Sequence, residues 1–261
     1  MHQLQAVPTN LTELQDSYNR LYGEWMGQHV NDDQAHQMLD YLQTVPGETL
    51  LDIGCGTGHT VRAALDRGLD AVGVDISTVA LEQAIGQYGL GRRVYLATAE
   101  QLPWPDHTFD NISILGSLEH FLDPACAVRE VARLLKPGGQ AAILVPNSHH
   151  LRAIYNVMKF GEIISDLQDY ERFATRKEWE RIFSENGLRV ELIHKYDTGM
   201  ARIYRPGREL FWFVYNALFR LFGNRWIPFN LTYTFIFICS PSLQQNEREE
   251  PTEGRSEQSD D

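Results

Sequence analysis

Between Thr49 and Val145 short apolar runs alternate with longer stretches of helical period. Thr49–Ile53, Ala71–Val74, Arg93–Ala97, Phe109–Leu115 and Gln140–Val145 read as strands, apolar enough to be buried on both faces as a parallel sheet demands. Thr60–Arg67, Thr78–Tyr88 and Pro124–Leu135 read as the helices between them, the last stopped by Pro137-Gly138-Gly139. Upstream, Leu14, Tyr18, Leu21 and Tyr22 recur at helical spacing, so Leu11–Leu42 is expected to be helical and to lie beside the core as a lid. Downstream, Thr175–Asn186 reads as a helix ended by Gly187, Leu188–Ile193 as a strand, and Leu231–Cys239 as a strongly β-prone final strand. Strands alternating with helices in this order predict an α/β protein, a doubly wound sheet with helices on both faces.

The chain has 261 residues, within the range of one large α/β domain with insertions. A lid over residues 1–45 and a domain over 46–240 are expected, with insertions at about 147–174 and 197–230. Cys55, Cys126 and Cys239 are odd in number and have no ligand-like spacing, which argues against a disulfide framework or structural zinc and for a reducing, cytoplasmic home. The first residues are polar and mixed, without the basic start and apolar stretch of a secretory signal. Net charge is −12, and Pro241–Asp261 contributes seven acids against Arg248 and Arg255. That tail, 241–261, lacks aromatics and is expected to be disordered. The remaining acidity argues against a surface for nucleic acid.

Leu50-Leu51-Asp52-Ile53-Gly54-Cys55-Gly56-Thr57-Gly58 runs from a strand into a glycine-rich turn and on to a helix. Glycines allow a tight turn and close approach to a ligand, and the helix start offers unpaired amides. The spacing is G-x-G-x-G, unlike the G-x-G-x-x-G of dinucleotide sites. Asp52 before the turn suits a cation, such as an amino group, rather than phosphate. Asp75 follows Gly54 by 21 residues and ends the second strand, where a carboxylate can accept two bonds from vicinal ribose hydroxyls. The alternative for Asp75 is an acid at the start of the next helix, for which Ser77 is the better cap.

Leu51–Gly58 with Asp75 resembles the first two motifs of class I S-adenosylmethionine-dependent methyltransferases. Ala99-Glu100-Gln101-Leu102-Pro103-Trp104-Pro105-Asp106 with Phe109-Asp110, and Leu118-Glu119-His120 followed by Leu134-Leu135-Lys136-Pro137-Gly138-Gly139, resemble its small-molecule branch, type 11, which includes quinone-biosynthesis C- and O-methyltransferases. The resemblance implies a Rossmann-like sheet of seven strands with the last antiparallel, and S-adenosylmethionine as cofactor. Carried over by motif, Asp52, Gly54, Cys55 and Gly56 would face the methionine part, Asp75 the ribose, and Thr98, Ala99 and Glu100 the adenine, with Ile76 packing on the base. Relatives often have Asp where this chain has Thr98, which makes the contact to the adenine amino group a hydroxyl or backbone one. Tyr18 or Tyr22 resembles the aromatic that covers the cofactor, with core packing the alternative for either.

The strand ending at Leu115 should bring Gly116–His120 to the mouth where donor and acceptor meet. His120 is the candidate general base, since imidazole takes a proton near neutral pH; a histidine that only packs locally is the alternative. Glu119 is expected to orient a neighbour or touch the acceptor, and Asn147 and His149, in the loop after the fifth strand, to contact it too. Some quinone O-methyltransferases hold a metal through clustered acids here; Ser117 and Leu118 leave no full ligand set, so no metal is expected.

Leu210–Phe222 is thirteen residues of mostly aromatic and aliphatic side chains, flanked by Arg202, Arg205, Arg208 and Arg225. It is too short to cross a bilayer, which takes about 20 apolar residues. It reads as an interfacial helix meeting anionic lipid, or as a buried helix or oligomer contact. Either reading favours an apolar, isoprenoid, quinone-like or lipid-linked glycan acceptor, the first with the enzyme docked on the inner membrane face. The competing function is a regulator or assembly partner that binds S-adenosylmethionine without transferring its methyl group. A nucleic-acid methyltransferase is disfavoured, because Gly116-Ser117-Leu118-Glu119-His120 stands where an Asn-Pro-Pro-Tyr motif would be.

Overall fold

The computed structural model describes residues 10–24, 32–161, 172, 174–196 and 227–242. Leu210–Phe222 and residues 243–261 of the acidic tail lie outside the described residues. Within the N-terminal stretch expected to be helical, the described residues form α1 (Leu11–Glu24) and α2 (Asp32–Tyr41). Then follow β1 (Thr49–Ile53), α3 (His59–Asp66), β2 (Asp70–Asp75), α4 (Thr78–Tyr88), β3 (Val94–Leu96), β4 (Phe109–Leu115) and α5 (Pro124–Leu134). The remainder is β5 (Leu135–Pro146), α6 (Leu151–Phe160), α7 (Arg176–Glu185), β6 (Leu188–Tyr196) and β7 (Thr234–Pro241).

Among the described residues the strands make one seven-stranded sheet, ordered β3-β2-β1-β4-β5-β7-β6. β3, β2, β1, β4 and β5 are parallel, while β7 inserts antiparallel between β5 and β6. Side-chain alternation splits the core in two. Leu51, Ile53, Ile112, Ile114, Ile143, Phe235 and Phe237 pack with Val128, Val131, Leu134, Trp179 and Phe183 on the side of α5 and α7. Leu50, Ala71, Ala142, Leu144, Ile236 and Ile238 pack with Met38, Leu39, Val61, Ala64, Leu81 and Ala84 on the side of α2, α3 and α4. This is the doubly wound arrangement, with both sheet faces dry.

Three strand ends depart from expectation by three residues or more, and β6 is one of them, running on to Tyr196 rather than ending at Ile193 because Lys195 and Tyr196 still pair with β7. β5 starts at Leu135 rather than Gln140: Leu135 pairs Phe109, and a register shift between Phe109 and Asn111 absorbs Pro137-Gly138-Gly139. β7 starts at Thr234 rather than Leu231. Phe229–Leu231 is a 3-10 turn, and the buried Asn147 side-chain amide donates to the carbonyls of Asn230 and Thr232, 2.9 Å each, which ties this segment to the end of β5 instead of to a strand ladder.

Candidate functional site

The carboxyl ends of β1, β2 and β4 meet where the strand order reverses between β1 and β4, the place where open α/β sheets leave a crevice. β1 ends at Ile53 and the chain turns through Gly54 and Gly56 with φ of +73° and +52°, a region unfavourable to side chains. Space forbids them as well. A Cβ on Gly54 would stand 2.4 Å from Ser117 Oγ, and one on Gly56 would stand 2.5 Å from the Tyr22 hydroxyl. The amides of Gly54 and Cys55 both donate to the Val74 carbonyl, at 2.8 and 2.9 Å, which draws the turn against the end of β2.

Asp75 terminates β2 with 7% of its surface exposed. Its Oδ2 accepts the Gly56 amide and its Oδ1 the Ser77 amide, each at 2.8 Å. One carboxylate thus joins the glycine turn to the start of α4, which Ser77 caps by accepting from the Ala80 amide. A carboxylate offers about four lone-pair sites, so capacity remains for a hydroxyl donor beside the amides of Gly56, Ser77 and Ile76. Burial pushes Asp75 above the usual carboxylate range, against the lowering pull of these amides.

Asp52, 3% exposed, takes the Ser113 hydroxyl at 2.7 Å. Burial raises it to about 7; the bonds from Ser113 and Thr60 oppose the shift and the charge of Asp75 adds to it. The Cys55 thiol is pushed up by burial and by both acids. Tyr22 is likewise held well above the ordinary phenol range, by desolvation first and Asp75 second.

Helix α1 closes the crevice from above. Gln15 donates to the Ile76 carbonyl at 2.8 Å, Asn19 Oδ1 accepts from Ser77 Oγ at 2.9 Å and the Val79 amide at 3.3 Å, and Gln83 donates to the Tyr22 carbonyl at 3.1 Å. On the far side, Arg133 of α5 donates to the Leu102 and Trp104 carbonyls, and Glu130 takes the Leu102 amide, which sets the loop after β3.

These walls enclose a cavity of about 250 Å³. Tyr18, Asp52, Gly54, Cys55 and Gly56 line it, as do Asp75, Ile76, Thr98, Ala99, Glu100, Leu115 and His120. Its other walls include Leu14, Tyr22, His59, Thr60, Ser117 and Phe121. Sequence reasoning named Tyr22 only as an alternative and passed over His59 and Thr60, although the first residues of a helix after a glycine turn are natural neighbours of a ligand. Asn147 and His149 do not line the cavity: Asn147 is engaged with the 230–232 backbone, and its Oδ1 accepts the His149 amide at 3.2 Å. Glu119 is 5% exposed and lies behind His120, its Oε1 3.8 Å from the imidazole Nε2. The His120 ring meets the Tyr18 ring edge-on at 6.1 Å.

The charge of this cavity selects among ligands. Asp52, Asp75 and Glu100 face it, and no Lys or Arg is among its described lining residues. Phosphate groups would meet acids there with no Lys or Arg among the described lining residues to offset them, whereas a cationic nucleoside would meet counter-charges. Among the described residues no three His, Cys, Asp or Glu side chains gather as a metal site.

Fold and crevice together define the class: a Rossmann-like α/β protein with a cavity at the switch point of its sheet. A family model described as a methyltransferase domain matches residues 51–143. Residues 51–143 thus form a methyltransferase domain of the class I S-adenosylmethionine-dependent type. It is 34% identical to the uncharacterized methyltransferase YcgJ of Bacillus subtilis over 57% of this chain and 60% of that protein. It is 26% identical to a ubiquinone biosynthesis O-methyltransferase of Nitrosospira multiformis over 78% of this chain and 92% of that one. A Haloferax volcanii methyltransferase, solved in complex with the Trm112 methyltransferase activator, shares the fold with a TM-score of 0.63 at 20% identity, covering 86% of this chain and 97% of that one. The chain spans 51 to 60% of the length of some curated relatives it matches.

Proposed function

We propose that the cavity binds S-adenosylmethionine and that the protein transfers its methyl group to a small apolar or lipid-linked acceptor of isoprenoid, quinone-like or glycan type. The observation that carries this reading is the acidic lining, with no Lys or Arg among its described residues, around two glycines that leave no room for a side chain. Asp52 would hold the methionine amino group and Asp75 the ribose hydroxyls; Thr98, Ala99, Glu100 and Ile76 would flank the base, and Tyr18 and Leu115 would close the donor in. The sulfonium supplies an activated methyl group when bound. The residues of this chain then position the acceptor and manage its proton. His120 takes that proton, and the Glu119 carboxylate at 3.8 Å stabilises the imidazolium that results. The similarity to a quinone O-methyltransferase supports the acceptor class. Calorimetry with S-adenosylmethionine, S-adenosylhomocysteine and NAD tests the donor; binding of NAD alone would overturn it. An extract assay with labelled methyl donor then reads out the acceptor.

His120→Ala is expected to lower turnover by about 10²–10⁴-fold while the affinity for S-adenosylhomocysteine stays within a factor of about two. Equal turnover in the variant would point to an acceptor that needs no base.

Cofactor affinity should also depend on pH through Asp52. At about 7 its carboxyl is largely protonated in mildly acidic solution, and an ammonium group beside it requires the ionised form. Affinity is therefore expected to improve by up to about tenfold per unit as pH rises toward 7, with protons released on binding. Asp52→Asn should flatten that slope, which calorimetry in buffers of different ionisation enthalpy can measure. Stability runs the opposite way. The unfolded carboxyl ionises near its ordinary value and the folded one only at about 7, so the contribution of Asp52 to stability falls as pH rises between them.

A further inference from the structure

Helix α6 is built inside out. Its inward positions are Ala153 and Asn156, 5% and 7% exposed, while Leu151, Tyr155 and Met158 are 43%, 54% and 83% exposed. Steps of four and three residues place these last three in one stripe along the outer face. Contiguous exposed apolar surface of this kind marks an interaction site.

The direction of the stripe is set by the start of the helix. The His150 side chain caps it by accepting the Ala153 amide at 3.2 Å, the His150 ring meets Tyr233 at 4.5 Å, and the Ser148 amide donates to the Ala174 carbonyl at 3.1 Å. α6 follows the carboxyl end of β5, the same end of the sheet at which the cavity lies.

Its charge identifies the partner. Residues 144–161 contain Arg152 and Lys159 and no acid, in a chain of net charge −12. Lys159 Nζ lies 5.4 Å from the Tyr155 ring centre and 5.1 Å from that of Phe160, and it bonds the Tyr155 hydroxyl at 3.0 Å. A cation held at the rim of an apolar stripe is how an amphipathic helix meets headgroups while burying its aliphatic stem.

We propose that α6 is a membrane-docking helix whose outer stripe enters the interface of an anionic bilayer with Lys159 at headgroup level. Ten residues make a helix about 15 Å long, too short to cross and suited to lying flat. No helix among the described residues is long and apolar enough to span a membrane. A second copy of the chain fits this face less well, because pairing two such stripes would bring Lys159 of each copy into one apolar contact. The inference rests on the proposed apolar or lipid-linked acceptor, which such docking would bring to the mouth of the cavity.

Flotation of the full chain with phosphatidylcholine vesicles, with and without phosphatidylglycerol, tests it. Wild type is expected to float with the anionic vesicles and to be released by high salt or neutral lipid. A Tyr155→Ser, Met158→Glu variant should lose about tenfold or more in partitioning while binding S-adenosylhomocysteine as wild type does, since neither residue lines the cavity. Wild type that stays with the pellet, or a variant that floats equally well, would overturn the docking role of α6. So would a wild-type dimer that the substitutions convert to monomer in sedimentation. Loss of cofactor binding in the wild type would instead strike the methyltransferase reading and leave the flotation result standing.

Discussion

Asp75→Ala is expected to weaken binding of S-adenosylmethionine and S-adenosylhomocysteine by about 1–3 kcal/mol, roughly 5- to 150-fold in dissociation constant. The ribose would lose a charged acceptor, and the Gly56 and Ser77 amides would lose their partner, so the turn facing the methionine part would loosen as well. Those unpaired amides also cost stability. Binding should therefore be measured well below the unfolding midpoint read by circular dichroism. Asp75→Asn separates the two effects: it keeps one acceptor oxygen but places amide donors against amide donors, and should fall between wild type and alanine. An unchanged dissociation constant in Asp75→Ala would show that this carboxylate does not hold the ligand.

Trp179→Ala should produce the largest loss of stability, about 3–5 kcal/mol, or roughly 6–20 °C in the midpoint of thermal unfolding. Trp179 is fully buried, stacks on Phe183 at 6.3 Å, and donates its indole N–H to the Pro146 carbonyl at 3.0 Å. It joins α7 to the end of β5 on the side of the sheet away from α3. Trp179→Phe retains much of the volume but leaves the Pro146 carbonyl without that donor, and should cost about 1–3 kcal/mol. Differential scanning calorimetry that finds alanine no less stable than phenylalanine would contradict this account of the core.

The parallel half of the sheet was legible in the sequence because each of its elements is specified locally. β1, α4 and β4 have the boundaries their apolar runs predict: the strands are dry on both faces, and α4 is framed by Ser77 at its start and Gly89 in the left-handed region at its end. The cavity was legible for a related reason. Its turns carry residues that few other roles require, two glycines that tolerate no Cβ and acids at the ends of two adjacent strands.

Elements with a non-local partner were read less well. β7 begins three residues later than its β-prone run because Asn147, far away in sequence, holds the Asn230 and Thr232 carbonyls. The same bonds commit the Asn147 side-chain amide to the 230–232 backbone, which its loop position did not announce. α6 was read as part of an insertion, since its apolar stripe faces outward and helical period alone does not say which side meets a core.

By itself, then, the sequence determined the order of the strands and of the helices between the parallel ones, the glycine turn, and the acids that stand at strand ends, all set by neighbours a few residues apart. Only the tertiary structure decided that Asp75 bridges the turn to α4, that Asp52 is buried to a pKa of about 7, that Glu119 stands behind His120, and that α6 turns its apolar face outward. Desolvation, close approach and the direction of a helix face depend on chain segments brought together from far apart, and no local pattern encodes them.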